Sequence, residues 1–491
     1  MSHARATVLV VAAALLALAG VLSITSLAQA HGALRRSAPA SGDTLTVAPR
    51  ELRLTFTEST ELAVSRIELL GPDNVAVGLG PMRYGDSTTV LVADVTGALD
   101  AGTYTVAWQI VGRDGHPVRG RFRFTIAAGA AGLGAPPPTA RADSAPAAGT
   151  QGAVPGTARA VAHADEHLQP QLPLPTASFD AESPLYAAVR WLGLAAMLGV
   201  IGTIGFGTWV LPSTHRRLAV PAPVAEGEVF RRMRGVGMLA AATLLLAAGL
   251  RLVAQSAATN GAAAAFDSGG LAAIVDGTLW GTAWKVQVVA ALLSLAGFWL
   301  LARRRAAGWL LATMAAVALA VSAALSGHAA AVPGRAVLAV ATDAVHVLTA
   351  GGWLGTLLVM AAAGLPVALR ARPGQRGPAT AAMVNGFSPL ALACAAVLAL
   401  TGAASGWLHL ESLGALVTSA YGRTLLIKLA VVALVVAAGA YNWRRVRPAV
   451  GSDPGAERLR RSARVELAIG AVVLAVTAVL VATPTPMDVL R

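Results

Sequence analysis

The sequence predicts a small β-sandwich, immunoglobulin-like with Greek-key connections, joined by a disordered linker to an all-α polytopic membrane domain of about eight transmembrane helices. Three observations predict it. Residues 31–127 carry short alternating apolar segments separated by turn signals. Residues 128–180 are dominated by Ala, Pro, Gly, Thr and Ser. From residue 181 to 491, long apolar runs recur with arginine clusters between them. The composition agrees. The 491 residues are 55% hydrophobic and only 13% charged, with a mean hydropathy of +0.63, which excludes one ordinary globular domain. The net charge of +13 is not read as a nucleic-acid surface, because its arginines sit in short loops between apolar runs.

The first thirty residues read as a secretory signal peptide. Arg5 precedes an apolar run from Thr7 to Leu22, and Ala28-Gln29-Ala30 is a small-x-small cleavage sequence. Cleavage after Ala30 is expected to make His31 the first residue of the mature chain. The single cysteine, Cys394, lies inside an apolar run, so no intrachain disulfide and no CxxC site is available.

Strands are expected in the segment that follows. Leu52–Phe56 and Phe122–Ile126 alternate apolar and polar residues, and Val64–Leu70, Thr88–Val95 and Thr103–Val111 are rich in β-branched and aromatic side chains. The breaks are Gly71-Pro72-Asp73-Asn74, Tyr84-Gly85-Asp86, Asp100-Ala101-Gly102 and Arg113-Asp114-Gly115. Strands this short and this closely spaced suggest a sandwich.

Two clusters in this segment carry metal chemistry. A mature His31 offers an imidazole and an α-amine, which close a chelate ring on one ion. Asp114-Gly115-His116-Pro117 adds a carboxylate and a second imidazole. A nitrogen and oxygen set of this kind suits a tetragonal divalent ion, best Cu(II). Against it stands the plain reading of Asp114-Gly115 as a hairpin turn. Met82 is the one methionine in the segment, so no separate thioether site is expected.

His31-Gly-Ala-Leu-Arg-Arg-Ser37-Ala-Pro39-Ala-Ser-Gly42, Leu52–Glu58, and Tyr104–Trp108 through Asp114-Gly-His116-Pro117 to Phe122 resemble the CopC copper-resistance proteins over nearly the whole segment. The resemblance implies a CopC-like copper-binding sandwich over 31–127. It also implies Cu(II) ligation by His31, Asp114 and His116.

Pro136-Pro137-Pro138 marks the linker as partly extended, and His163 and His167 form a weak additional metal candidate within it.

The membrane runs are, approximately, Leu185–Leu211, Gly237–Gln255, Thr282–Ala302, Trp309–Leu325, Val337–Leu365, Phe387–Leu408, Thr424–Tyr441 and Leu467–Val481. Loops after odd-numbered runs hold Arg216, Arg217, Arg231, Arg232 and Arg234, then Arg303–Arg305, then Arg370, Arg372 and Arg376, then the cluster from Arg444 to Arg464. Loops after even-numbered runs hold mainly Arg335 and Arg423. The positive-inside rule then places the arginine-rich loops in the cytoplasm, and the N-terminal domain and C-terminus outside a multi-pass cell-membrane protein.

Within the helices, Asp343 and His346 lie three residues apart on one face. His328 closes the fourth run and His409 the sixth, both at the outer surface. The four suggest a copper path from the outside toward mid-membrane, through titratable groups that are costly to bury without a purpose. Their alternative reading is polar packing. Arg251 and Lys285 are expected to snorkel to the helix ends, and Lys428 to pair with a carboxylate such as Glu466. Gly351–Gly355 and Gly402–Gly406 read as close helix packing. Met197, Met238, Met314, Met360 and Met383 read first as core and second as Cu(I) donors.

Ser326-Gly-His328, Asp343-Ala-Val-His346, Trp353-Leu-Gly355, Phe387-Ser388, Thr401-Gly402 and Tyr421–Lys428 resemble the CopD copper-resistance membrane family over most of 185–490. The combined reading is a non-enzymatic copper handler. Its outer domain captures Cu(II), from solution or from an external copper chaperone, and its membrane domain imports the ion, with Cu(I) as a second species there. No Walker motif is present. A copper sensor or buffer without transport is the alternative, and a haem or quinone redox protein the more distant one.

Overall fold

The computed structural model describes residues 34–131, 183–218, 223–332, 334–410, 412–483 and 485. The expected signal peptide, His31 and the linker histidines His163 and His167 lie outside the described residues.

The first domain is a two-sheet sandwich. Its strands are β1 (Leu34–Ala38), β2 (Thr44–Val47), β3 (Glu51–Phe56), β4 (Arg66–Leu70), β5 (Ala76–Val77), β6 (Arg83–Tyr84), β7 (Val90–Asp94), β8 (Gly102–Val111) and β9 (Pro117–Ala131). One sheet has the order β1-β3-β7-β6 and the other β2-β9-β8-β4-β5. All pairings are antiparallel except β2 with β9. The alternation seen in sequence becomes the core. Leu52, Leu54 and Phe56 of β3 face Tyr104, Val106 and Trp108 of β8 and Phe122, Phe124 and Ile126 of β9. Phe56 meets Trp108 edge-on at 5.1 Å between centroids.

β8 and β9 form the longest pair, in register from Gly102↔Ile126 to Val111↔Pro117. The loop they enclose is Gly112-Arg113-Asp114-Gly115-His116. A long hairpin held by ten opposed pairs gives this loop a fixed base. Gly115 has φ +85°, a left-handed conformation that glycine adopts without penalty.

The second domain is helical and, among the described residues, has eight helices long and apolar enough to cross a membrane. We label them α1 (Pro184–His215), α2 (Gly227–Asn260), α3 (Leu279–Ala302), α4 (Ala307–Leu325), α5 (Ala336–Ala368), α6 (Arg376–His409), α7 (Ala420–Ala449) and α8 (Asp453–Leu480). The chain is therefore a multi-pass membrane protein. α1 is the central helix, with 72% of its apolar window buried against 11% for α6.

Gly355 of α5 sets the contact with α1. A Cβ there would collide with the Leu198 carbonyl, and a Cβ on Gly202 would collide with the Gly355 backbone. The Gly351–Gly355 pattern is thus a backbone-on-backbone seam. The Gly402–Gly406 pattern is not: nothing lies within 4 Å of a Cβ placed on Gly406. Met197, Met360 and Met383 sit in apolar clusters, and Met314 is 61% exposed.

The sandwich stands on one end of the helical domain. Helix ends leave backbone groups without intrahelical partners, and the sandwich supplies several. Arg119 of β9 donates to the Ala258 carbonyl at 3.0 Å, and Gln109 of β8 to the Thr259 carbonyl at 2.9 Å, both in the last turn of α2. The Glu61 carboxylate accepts from Leu279 N–H, the first amide of α3, at 3.2 Å. A cation thus lies at a helix C-terminus and an anion at an N-terminus, the favourable sense for each dipole. Val64 and Val111 pack with Ile274 and Trp280 beneath them.

Candidate metal centre

The loop between β8 and β9 is folded by its own polar groups. Gly112 N–H donates to the His116 carbonyl at 3.1 Å and Gly115 N–H to the Gly112 carbonyl at 2.9 Å. Asp114 Oδ1 accepts from His116 N–H at 3.0 Å, a side-chain turn that fixes the carboxylate. Its other oxygen, Oδ2, lies 2.8 Å from His116 Nδ1.

The same oxygen lies 3.1 Å from Nδ1 of His328. His328 belongs to the membrane domain, in a short turn (His328–Ala331) between α4 and α5. The His116 and His328 rings stack, 5.6 Å between centroids and 16° between planes. Among the described residues, Asp114, His116 and His328 form a group whose ligand atoms all lie within 4.8 Å of one another. Asp114 is 3% exposed and His116 6%. A carboxylate and two imidazoles, packed this closely and shielded from water, are donor types that could hold a divalent metal ion.

The electrostatics agree. Burial raises the Asp114 carboxyl, but the neighbouring His116 and His328 outweigh it and hold it well below the usual carboxylate range. Burial pushes the His116 imidazole below its ordinary value, against the pull of Asp114. The first is therefore ionised and the second neutral at neutral pH, the states in which both ligate.

The helical domain supports the loop from below. Gln255 of α2 donates to the Gly115 carbonyl and accepts from Tyr186 Oη at 2.6 Å. Trp280 lies against Gly115, so that a Cβ there would sit 2.7 Å from Trp280 Cδ1. Arg251 donates to Ser326 Oγ at 2.9 Å and to Gln287 Oε1 at 3.3 Å. It does not snorkel to the surface as expected; it braces the segment that carries His328. Arg190 stacks on Tyr186 at 3.8 Å.

The structure divides the expected membrane residues into two groups. His409, at the end of α6, joins the cluster, 6.4 Å from His328 between ring centroids. Tyr421 of α7 packs 6.3 Å from both rings. Asp343 and His346 lie deeper on α5. His346 Nδ1 is 2.9 Å from Thr401 Oγ1 on α6. Asp343 is the electrostatic partner of Lys428 on α7 and also feels His328. Lys428 therefore does not pair with Glu466, whose carboxylate accepts instead from Asn442 Nδ2.

Sequence reasoning missed the supporting residues Glu61, Gln109, Arg119, Tyr186, Gln255 and Trp280, and met Tyr421 only as part of a family motif. It also treated His328 as part of a separate membrane path. The available signal was position: His328 lies in an arginine-poor loop, on the side where the N-terminal domain was expected.

Three family models match the chain. The CopC domain covers residues 34–127, the N-terminal domain of copper resistance protein D-like proteins 180–337, and copper resistance protein D 381–480. Copper resistance protein C of Pseudomonas syringae pv. tomato is 33% identical over 115 residues, which are 22% of this chain and 89% of that protein. The chain belongs to the CopC–CopD copper-resistance family. The copper transport protein CutJ of Bacillus subtilis is 24% identical to this CopC–CopD chain over 468 residues, 94% of this chain and 75% of that one. The solved structure of CopC from Methylosinus trichosporium OB3b is 28% identical, covers 20% of this chain and 95% of its own, and has a TM-score of 0.19.

Proposed function

We propose that this CopC–CopD chain captures Cu(II) outside the cell at Asp114 and His116, with His31 as a further ligand, and passes it to the membrane domain for import. The observation that carries the reading is the meeting of Asp114 and His116 with His328 inside one ligand-sized group. A soluble collector acting alone has no need of a donor from the membrane helices.

The sidedness follows the arginines. The sandwich rests on the end of α2 and the start of α3, opposite the arginine-rich loops, so positive-inside puts it in the extracytoplasmic space. Asp343 and His346 continue the path inward. Copper is the cargo, bound first as Cu(II) by nitrogen and oxygen donors, and supplied from solution or by an external chaperone. The chain performs no chemistry on a substrate.

The test is Cu(II) titration of the full chain followed by EPR, together with copper accumulation in vesicles that contain it. Tight one-to-one binding, weakened when one residue is added before His31 and lost in His116→Ala, is expected alongside accumulation. Equal binding in all three proteins would overturn the capture site. Binding without accumulation would leave a copper buffer or sensor in its place.

A further inference from the structure

We propose that Glu466 of α8 is a proton-exchange site at the inner end of the membrane domain, where a proton and a divalent cation displace one another. The displacement rests on the import reading; the proton site does not.

Burial is the first support. Glu466 is 7% exposed and lies in the middle of α8. Its neighbours along the helix belong to apolar clusters, Ala463 and Leu467 with Met360 and Phe387, Val465 and Ile469 with Trp353. An ionised carboxylate in such surroundings is costly unless a cation faces it.

The packed elements offer no such cation. Among the described residues, Glu466 bonds to Asn442 and no charged side chain acts on it. α1 carries Arg190 and His215 toward its two ends, α6 carries Arg376 and His409 at its ends, and α5 has only Asp343 and His346. Cys394 of α6 lies against Gly352. On α7, Lys428 is fourteen residues from Asn442, about 21 Å along the helix, and is the partner of Asp343. Arg447 donates to Asn385 Oδ1 at 3.0 Å and covers the Trp443 ring. Tyr441, Arg444 and Arg445 are exposed, as are Arg458, Arg461 and Arg464 on α8 itself, and Arg460 pairs with Glu457.

The hydrogen bonds suit a proton that comes and goes. Asn442 Nδ2 donates to Glu466 Oε1, and Ser462 Oγ donates to Asn442 Oδ1. If the amide turns over, Oδ1 accepts from a Glu466 hydroxyl and Nδ2 donates to Ser462 Oγ, which accepts as readily as it donates. Each protonation state thus keeps both hydrogen bonds. A lysine in place of Asn442 would fix the charge instead. Asn442 also opens a π-helical turn, Asn442–Val446, a local widening common at functional sites.

Position supplies the direction. Leu354 lies eight residues beyond His346 on α5, about 12 Å further in. It packs against Gly470, one turn from Glu466. A divalent ion moving in from Asp343 and His346 stabilises the carboxylate, and the Glu466 hydroxyl gives its proton to cytoplasmic water. When the ion leaves, water returns a proton and the amide turns back. No electron is exchanged.

The experiment uses the full chain in lipid, with infrared spectroscopy and copper accumulation as separate readouts. At about pH 7, a C=O band of a protonated carboxyl is expected that Glu466→Gln removes and Glu457→Gln leaves in place. A spectrum that Glu466→Gln does not change would overturn the proton site. In proteoliposomes, accumulation by the wild type is expected to slow about tenfold as the buffer on the cytoplasmic face falls from about pH 8 to about pH 6. Glu466→Asp should keep that slope and Glu466→Gln should lose it. A Gln variant with the wild-type slope would overturn the exchange. A wild type that accumulates no copper defeats the import reading, and the infrared band then decides the proton site by itself.

Discussion

Oδ2 of Asp114 lies 3.1 Å from Nδ1 of His328, between residues 214 apart in sequence and in different domains. A carboxylate carried by a β-hairpin thus meets an imidazole carried by a turn between membrane helices. The sandwich alone has two members of the donor group, and the docked chain has three.

His328→Ala in the full chain is therefore expected to reduce Cu(II) affinity at least about tenfold while leaving the sandwich fold intact. Competition titration with a chelator of known affinity measures it. Unchanged affinity would mean that His328 is a neighbour of the site and not a member.

Gly115→Ala attacks the docking from the loop. The position has φ +85°, and the new methyl would press on Trp280. The left-handed conformation alone costs a side-chain-bearing residue about 1–3 kcal/mol. The loop should relax by lifting off the helical domain, and copper affinity should fall toward that of His328→Ala. Hydrogen exchange in residues 274–284 should rise in the same variant.

Glu61 gives the interface a pH dependence of defined sign. Burial raises its carboxyl above the ordinary value, against the Leu279 amide and Arg113, which lower it. The docked state thus binds a proton more readily than the undocked state, and the Glu61 contribution to docking improves as pH falls from the raised value through the ordinary range near about 4.3. Glu61→Gln keeps an acceptor for Leu279 without the charge. At pH 7 the variant should dock at least as tightly as wild type, and the difference should close toward pH 4. Hydrogen exchange at the start of α3, compared between the two proteins at each pH, reads this directly. A wild type that docks more tightly than the variant at pH 7 would show that the α3 dipole outweighs burial.

Gly355→Val tests the seam between α1 and α5. Any Cβ at this position collides with the Leu198 carbonyl, and neither backbone can move without shifting a whole helix. Overpacking of this kind costs about 1–3 kcal/mol or more. The melting temperature in detergent should drop, whereas Gly406→Val, with open space around it, should leave it unchanged.

The strands and the spans were legible in the sequence because each is written many times over. Leu52, Leu54 and Phe56 repeat one alternation, and the membrane helices repeat apolar residues over lengths that only a bilayer or a large core explains. The half of the site at Asp114 and His116 was legible as a compact motif. The other half was not. His328 is one residue in a turn, and nothing local says which loop of another domain reaches it. The docking contacts are likewise single events: Arg119 and Gln109 meet backbone carbonyls of α2, which carry no residue identity at all. Gly351–Gly355 and Gly402–Gly406 show the same limit. Identical spacing becomes a seam in one helix and an open surface in the other, because the partner helix decides.

The capping of α2 and α3 by the sandwich has a kinetic consequence that arises from covalent continuity. About fifty residues join Ala131 to Ser183, and a connection of that length keeps two surfaces at an effective concentration near the millimolar range. A handful of hydrogen bonds to helix ends is then enough to hold the domain docked for most of the time, yet weak enough to let it leave and return. Two separate proteins with the same contacts would rarely meet. Fusion turns a feeble interface into a reversible latch over the candidate site.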